Sequence, residues 1–203
     1  MYLSPRLYHW LVRPPWFTRI YIHDHINGHF CMDRKSVLDF GSGTGANCRL
    51  CKPDFYLGIE PNKQRVGLAK RFYPDYHFDL FDERKIPVRD HSIDYILVIA
   101  VLHHLNDGQI RDYLSEFDRV LKPGGRIIAM EPCLCDRAAF RNHLMNWYDD
   151  GEYIRNEESY FKLFQDGNYR CETLKKFTKC FVYNEIFFSA QREAGDDICL
   201  KST

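Results

Sequence analysis

Short apolar runs recur along the chain and alternate with stretches whose apolar residues fall three or four apart. Residues 36–40, 55–59, 76–80, 93–100 and 126–130 are short and rich in β-branched or aromatic side chains, the pattern of buried strands. Between them, residues 63–72 place Val66, Ala69 and Lys70 on neighbouring turns. Residues 110–121 put Ile110, Tyr113, Leu114, Phe117, Val120 and Leu121 on one helical face. Strand and helix in alternation imply right-handed crossovers and a parallel sheet with helices on both faces, ligands lying at the carboxyl ends of the strands. Two more strand-like runs, 172–178 and 182–190, are separated by a gap short enough for an antiparallel hairpin. The expected fold is therefore α/β: a doubly wound, mostly parallel sheet closed by a C-terminal antiparallel hairpin.

The flanks break this rhythm. Residues 1–30 are rich in aromatics and arginine, and Pro14-Pro15 divides them into two short segments that read as an N-terminal helical cap. From 133 to 169 the chain becomes rich in Tyr, Trp, Asn and Asp, with a short helix near 157–165 that Gly167 can end. This reads as a substrate-side insertion over a pocket. Residues 191–203 read as a flexible tail. Residues 1–190 thus form one domain, as expected of a 203-residue chain.

Charge narrows the partners. Lys plus Arg and Asp plus Glu each total 28, so no global basic field recruits nucleic acid, and none is expected as a partner. The longest apolar run, 96–102, is far too short to cross a bilayer. The N-terminus lacks the apolar core of a secretory signal, so a cytoplasmic location is expected. The eight cysteines then read as free thiols: neither Cys48-x-x-Cys51 nor Cys133-x-Cys135 has a second ligand pair at matching spacing. His23, His25, His29 and Cys31 fit an amphipathic helix with partly exposed imidazoles, and no metal site is expected.

The chemistry concentrates in Val37-Leu38-Asp39-Phe40-Gly41-Ser42-Gly43-Thr44-Gly45, an apolar strand running into a turn with three glycines at alternate positions. Glycine permits positive φ and carries no Cβ, so such a backbone can press against a small molecule. Two ligands fit the loop taken alone. Gly41-x-Gly43-x-x-Ala46 satisfies a dinucleotide fingerprint, with Glu60 at about the spacing for a ribose contact. Asp39, two residues before the first glycine, suits a cationic ligand and would repel a pyrophosphate on a following helix N-terminus. The shortage of chain for a separate substrate domain also weighs against the dinucleotide.

Five motifs in order carry a resemblance. The glycine stretch, Gly58-Ile59-Glu60-Pro61, residues 86–94, Val101-Leu102-His103-His104-Leu105 and Leu121-Lys122-Pro123-Gly124-Gly125 together resemble a class I S-adenosylmethionine-dependent methyltransferase of the small, methyltransferase-11-like type. The resemblance spans residues 37–131 and implies a Rossmann-like sheet and S-adenosyl-L-methionine as cofactor. It also implies roles. Gly41, Gly43 and Gly45 would admit the methionine part, with Asp39 supporting its ammonium directly or through water. Glu60 would accept hydrogen bonds from both ribose hydroxyls, Asp82 would meet the adenine amino group, Glu83 would add a backbone contact, and Ala100 would line the site after the fourth strand. Asp79 competes with Asp82 for its role.

A sulfonium methyl is already electrophilic, so the protein mainly has to align a nucleophile and exclude water. A general base is required only for a poorly acidic hydroxyl or a protonated amine. His103 and His104, directly after the fourth strand, are the candidates, against the plainer reading that both serve packing and loop hydrogen bonds. Acceptor contacts are expected from 1–30 and 133–169. There Tyr8, Trp10, Trp16, Trp147, Tyr148, Tyr153 and Tyr160 form an aromatic pool, and Arg6, Arg13 and Arg155 are available for a carboxylate or phosphate. The leading function is methyl transfer to an O, N or C atom of a small-molecule acceptor. A transfer-RNA base methyltransferase, a catalytically silent cofactor-binding partner subunit and an NAD(P)-binding oxidoreductase are the alternatives. No residue pattern speaks to oligomeric state or regulation.

Overall fold

Alternation along a strand sends successive side chains to opposite faces, and β1 divides the molecule this way. A computed structural model describes residues 15–82, 84–135, 142, 152–179 and 183–193. Seven strands, β1 (Val37–Phe40), β2 (Tyr56–Glu60), β3 (His77–Leu80), β4 (Ile93–Ile99), β5 (Leu121–Pro132), β6 (Tyr169–Lys179) and β7 (Tyr183–Arg192), form one sheet. Their order is β3-β2-β1-β4-β5-β7-β6. Pairs from β3 through β5 are parallel, and β7 runs antiparallel to both β5 and β6. This is the expected Rossmann-like, mostly parallel sheet with its antiparallel end. β1 and β4 are neighbours although β2 and β3 intervene in sequence, and that reversal of winding opens a crevice at their carboxyl ends.

Leu38 and Phe40 point to one face, where α4 (Asp107–Val120) and α5 (Glu157–Asp166) bury Ile110, Phe117, Tyr160 and Phe164. Val37 packs on the other face with Ile22 and Ile26, from the N-terminal run that includes α1 (Pro15–Thr18) and α2 (Asp24–His29), and with Val66 and Ala69 of α3 (Lys63–Phe72). The apolar stripe expected for α4 is buried as read. The helix starts earlier than residue 110 because Asn106 and Gln109 form a reciprocal capping box, worth about 1 kcal/mol. It ends at Val120, since Leu121 takes extended backbone and begins β5, which is longer than the run 126–130 suggested.

At the N-terminus α1, a π-helical turn (Arg19–His23) and α2 follow one another without a break from Pro15 onward. Residues 1–14 of the expected cap, 136–141 and 143–151 of the expected insertion, and 194–203 of the tail lie outside the described residues. The described end of that insertion contains α5, a core helix closed by Gly167 as expected. One connection departs from the alternating pattern: residues 41–55, between β1 and β2, form two short 3-10 turns, Cys48–Leu50 and Pro53–Phe55, with no α-helix. Pro53 has no N–H to continue a helix, and Asn47 is drawn inward to Asp39.

Candidate active site

The carboxyl ends of β1, β2, β3 and β4 meet around the glycine turn. Gly41 and Ser42 both donate backbone N–H to the Ile59 carbonyl, at 2.9 and 3.0 Å, so the turn is pinned to the end of β2. Gly41, Gly43 and Gly45 all have positive φ, of 73°, 57° and 84°. A Cβ on Gly41 would sit 2.6 Å from Val101 Cγ2, and one on Gly45 2.6 Å from the Phe78 ring. At Gly43 a Cβ would meet nothing within 4 Å among the described residues. Two glycines are therefore required by packing, and the third by the turn and by the open space above it.

Glu60, the last residue of β2, is 3% exposed and spans this space. Its Oε2 accepts from Gly43 N–H at 3.0 Å, and its Oε1 accepts from Asn62 N–H at 3.1 Å, with the Arg65 guanidinium 3.7 Å away. Beside it, Phe81 N–H donates to the Glu60 carbonyl at 3.1 Å, which brings the end of β3 alongside. Asp82 follows directly, exposed, its Oδ1 accepting from Arg84 N–H at 3.2 Å. Asp79, its rival, is exposed on β3 itself. Glu83 lies outside the described residues.

Asp39 is placed differently from the other acids. It is 1% exposed and points to the face beneath the loop, where Tyr56 Oη donates to Oδ2 at 2.6 Å and Asn47 Nδ2 donates to Oδ1 at 3.4 Å. Its charge is felt there. Burial, then Asp39, pushes the Tyr56 hydroxyl well above its ordinary value, and the same two causes push Cys48 and Cys51 to about 12. Both thiols are free and buried, and their raised values make them poor nucleophiles.

After β4 the chain turns sharply. Ala100 adopts φ 57°, a left-handed conformation costing about 1 kcal/mol for a residue with a Cβ, and its N–H donates to the Met130 carbonyl at 2.8 Å. The turn is held by Glu131 near the end of β5, a fully buried carboxylate that sequence reasoning missed. Glu131 Oε1 accepts from Val101 N–H at 2.8 Å and Leu102 N–H at 3.0 Å. Its Oε2 takes the His103 N–H at 3.4 Å and lies 2.8 Å from His103 Nδ1. The signal was visible: the apolar run Ile127-Ile128-Ala129-Met130 is followed directly by the acid Glu131, and a buried charge needs partners. His103 is buried at 3% while His104 is exposed, their ring centroids 4.0 Å apart. Val101, fixed by Glu131, is the side chain that packs on Gly41, so the β4 turn and the glycine turn shape one crevice.

The pool of acceptor contacts is smaller than the sequence suggested. Arg155, 9% exposed, is committed to Asp107 and to the Leu102, Leu105 and Tyr153 carbonyls. It ties the start of α5 to the loop after β4 and is not available for a substrate anion. Tyr160 is fully buried, its hydroxyl donating to the Pro132 carbonyl at 3.1 Å. Tyr153 and Trp16 are exposed, while Tyr8, Trp10, Trp147, Tyr148, Arg6 and Arg13 lie outside the described residues. No helix among the described residues is long and apolar enough to cross a membrane, and none of their His, Cys, Asp and Glu side chains cluster to hold a metal ion.

Residues 38–129 match the family model of a methyltransferase domain. An uncharacterized methyltransferase of Bacillus cereus is 30% identical over 108 residues, a match covering 52% of this chain and 50% of that protein. The chain thus spans about half the length of the curated relatives it matches. Among solved structures, a SAM-dependent methyltransferase from Aquifex aeolicus aligns over 93% of this chain and 99% of its own at 17% identity and a TM-score of 0.65. Human N-acetylserotonin methyltransferase in complex with SAM aligns over 94% of this chain and 57% of its own at 18% identity and a TM-score of 0.67. At these identities the likeness is one of fold.

Proposed function

We propose, from the methyltransferase domain carried by residues 38–129, that this chain transfers the methyl group of S-adenosyl-L-methionine to an O, N or C atom of a small-molecule acceptor. The observation that carries the reading is the open space over Gly43, bounded by the Glu60 carboxylate at the carboxyl edge of the sheet. The residues present fit the donor. An adenosine needs a bidentate acceptor for its two ribose hydroxyls, and Glu60 has two oxygens, held among the described residues by the Gly43 and Asn62 N–H groups and the Arg65 guanidinium at 3.7 Å. Asp82, which follows Phe81 in the chain, would meet the adenine amino group. The glycine turn leaves its backbone accessible for the methionine part, and Asp39 adds negative charge from below. A dinucleotide fits less well, since its pyrophosphate requires the N-terminus of an α-helix directly after the glycines, and a 3-10 turn stands there.

When bound, S-adenosylmethionine supplies a sulfonium methyl that is already electrophilic. The chain supplies position. Ala100 and Val101 would wall the donor's reactive end, and Glu131 keeps them in place. Glu131 Oε2 also lies 2.8 Å from His103 Nδ1, a carboxylate partner that orients the imidazole, and His103 would accept the acceptor's proton. His104, exposed beside it, stacks against His103 at 4.0 Å between ring centroids. A small acceptor is favoured by the zero net charge and by two fold neighbours whose names carry small substrates, human N-acetylserotonin methyltransferase and geranyl diphosphate C-methyltransferase from Streptomyces coelicolor. The test is incubation with methyl-labelled S-adenosylmethionine and a pool of small hydroxyl, amine and carbon acceptors, alongside bulk transfer RNA at physiological salt. Label in a small product is expected. Label in the RNA alone would replace the acceptor class, and label in neither would overturn the reading.

A further inference from the structure

Among the described residues one buried carboxylate oxygen stands without a hydrogen-bond donor. Glu185, near the start of β7, is 4% exposed; its Oε1 accepts from Lys179 Nζ at 2.6 Å, while Oε2 has no partner among those residues. Folded proteins rarely leave such an atom unsatisfied, so a water, an ion or a ligand group completes it.

Its place in the sheet indicates which ligand. Glu185 lies opposite Pro132, one step past the pair Glu131 and Ile186, so it stands at the carboxyl edge of the sheet. Ala100, at the end of β4, bonds to Met130 two residues before Pro132. From β4 to β7 is two strand spacings, on the order of 10 Å. That is the reach of a small molecule with one end at the β4 turn and the other at Glu185.

The surroundings indicate its chemistry. The Phe177 ring lies 5.9 Å from Lys179 Nζ and 4.8 Å from the His25 ring, and Phe187 follows Glu185 on the same face of β7. The walls are therefore aromatic. Burial, and then the charge of Lys175, disfavours the protonated form of His25; Asp24 opposes them and Lys179 adds a smaller push in their direction. A ligand ammonium would meet those cations, and a ligand carboxylate would meet Glu185. A neutral donor meets neither objection.

We propose that Glu185, with Lys179, is an anchoring subsite for the methyl acceptor, taking a neutral hydroxyl or amide N–H at the end of the acceptor remote from the methylated atom. The proposal rests on the methyltransferase reading above. It makes Glu185 a specificity residue, remote from the bond that forms.

Four phenols of one skeleton test it: tyrosol, tyramine, 4-hydroxyphenylacetate and 4-ethylphenol, which end in hydroxyl, ammonium, carboxylate and methyl. Their binding is measured by calorimetry on protein saturated with S-adenosylhomocysteine. Tyrosol is expected to bind about 10-fold tighter than the other three, a contrast set by the one unpaired oxygen. Glu185→Gln is expected to reduce that preference to about 2-fold or less. The double variant Lys179→Met with Glu185→Leu replaces a buried pair by apolar groups, a change such sites tolerate, and should bind 4-ethylphenol at least as well as tyrosol. Equal binding of all four by the native chain, no binding of any, or a tyrosol preference that survives the double variant would each overturn the subsite while leaving the methyltransferase reading intact. Failure of S-adenosylhomocysteine itself to bind would instead remove the reading on which the subsite rests.

Discussion

Gly41, Gly43 and Gly45 share positive φ but differ in what surrounds them, and substitution separates their roles. Gly41→Ala drives a methyl into Val101 at 2.6 Å and should cost about 3 kcal/mol, lowering the melting temperature by several degrees. Gly43→Ala meets no atom of the described residues within 4 Å, so its cost is only the backbone conformation, about 1 kcal/mol. It should nevertheless weaken S-adenosylhomocysteine binding by about 10-fold or more, because the added methyl occupies the space over the turn. Thermal melts paired with titrations check both; a Gly43→Ala variant that binds normally would show the space to be unused. Glu131 is the second residue of consequence. Its four donors converge on a carboxylate with no exposure, so Glu131→Ala should destabilise the fold by about 3 kcal/mol. Glu131→Gln keeps the shape but loses the charge, and it should lower kcat with a shifted pH profile while leaving cofactor affinity nearly unchanged. A variant with unchanged rate and profile would reduce Glu131 to a structural clamp.

At the scale of elements, the stripe of α4 and the alternation of the strands were legible because each depends on neighbours a few residues away. The β1 to β2 connection was not. Its 3-10 turns follow from Pro53 and from Asn47 turning in to Asp39, a contact no local periodicity encodes. That turn buries Cys48 and Cys51, whose thiols burial and Asp39 push to about 12, whereas Cys31 and Cys135 are exposed. A thiol reagent at pH 8 should therefore label Cys31 and Cys135 in the native protein and spare Cys48 and Cys51 until it unfolds; peptide mapping reads this directly. The irregular segment between β3 and β4 is held by Arg119, which donates to the Ile86 and Val88 carbonyls and pairs with Glu116 and Asp90. The hydrogen bond from Arg119 holds the Glu116 carboxyl below its ordinary value of 4.5. A lowered native value means that Glu116 contributes its stability fully above 4.5 and loses it as the pH falls through the native value. Glu116→Gln should cost about 1 kcal/mol at neutral pH, and its stability should converge with that of the native chain in acid; parallel curves down to the lowest pH would contradict this.

The whole molecule divides the same way. The mostly parallel sheet with its antiparallel end, the position of the glycine turn and Glu60 at the tip of β2 could be read from the chain, because the winding of alternating strands and helices leaves few topologies. What escaped were the long-range contacts that finish the crevice: Glu131 reaching back to 101–103, and Arg155 bound to 102–107 where it had been expected to be available for substrate. Such contacts pair residues far apart in sequence and leave only weak traces, such as an acid ending an apolar strand. The account as a whole depends on the crevice receiving an adenosyl donor through Glu60. The most direct test is calorimetric titration of the native chain and of Glu60→Ala with S-adenosylhomocysteine and with NAD. Micromolar binding of S-adenosylhomocysteine to the native chain, about 100-fold weaker in the variant, with no heat from NAD, is the expected result. NAD binding without a response to S-adenosylhomocysteine, or equal affinity in both proteins, would contradict it.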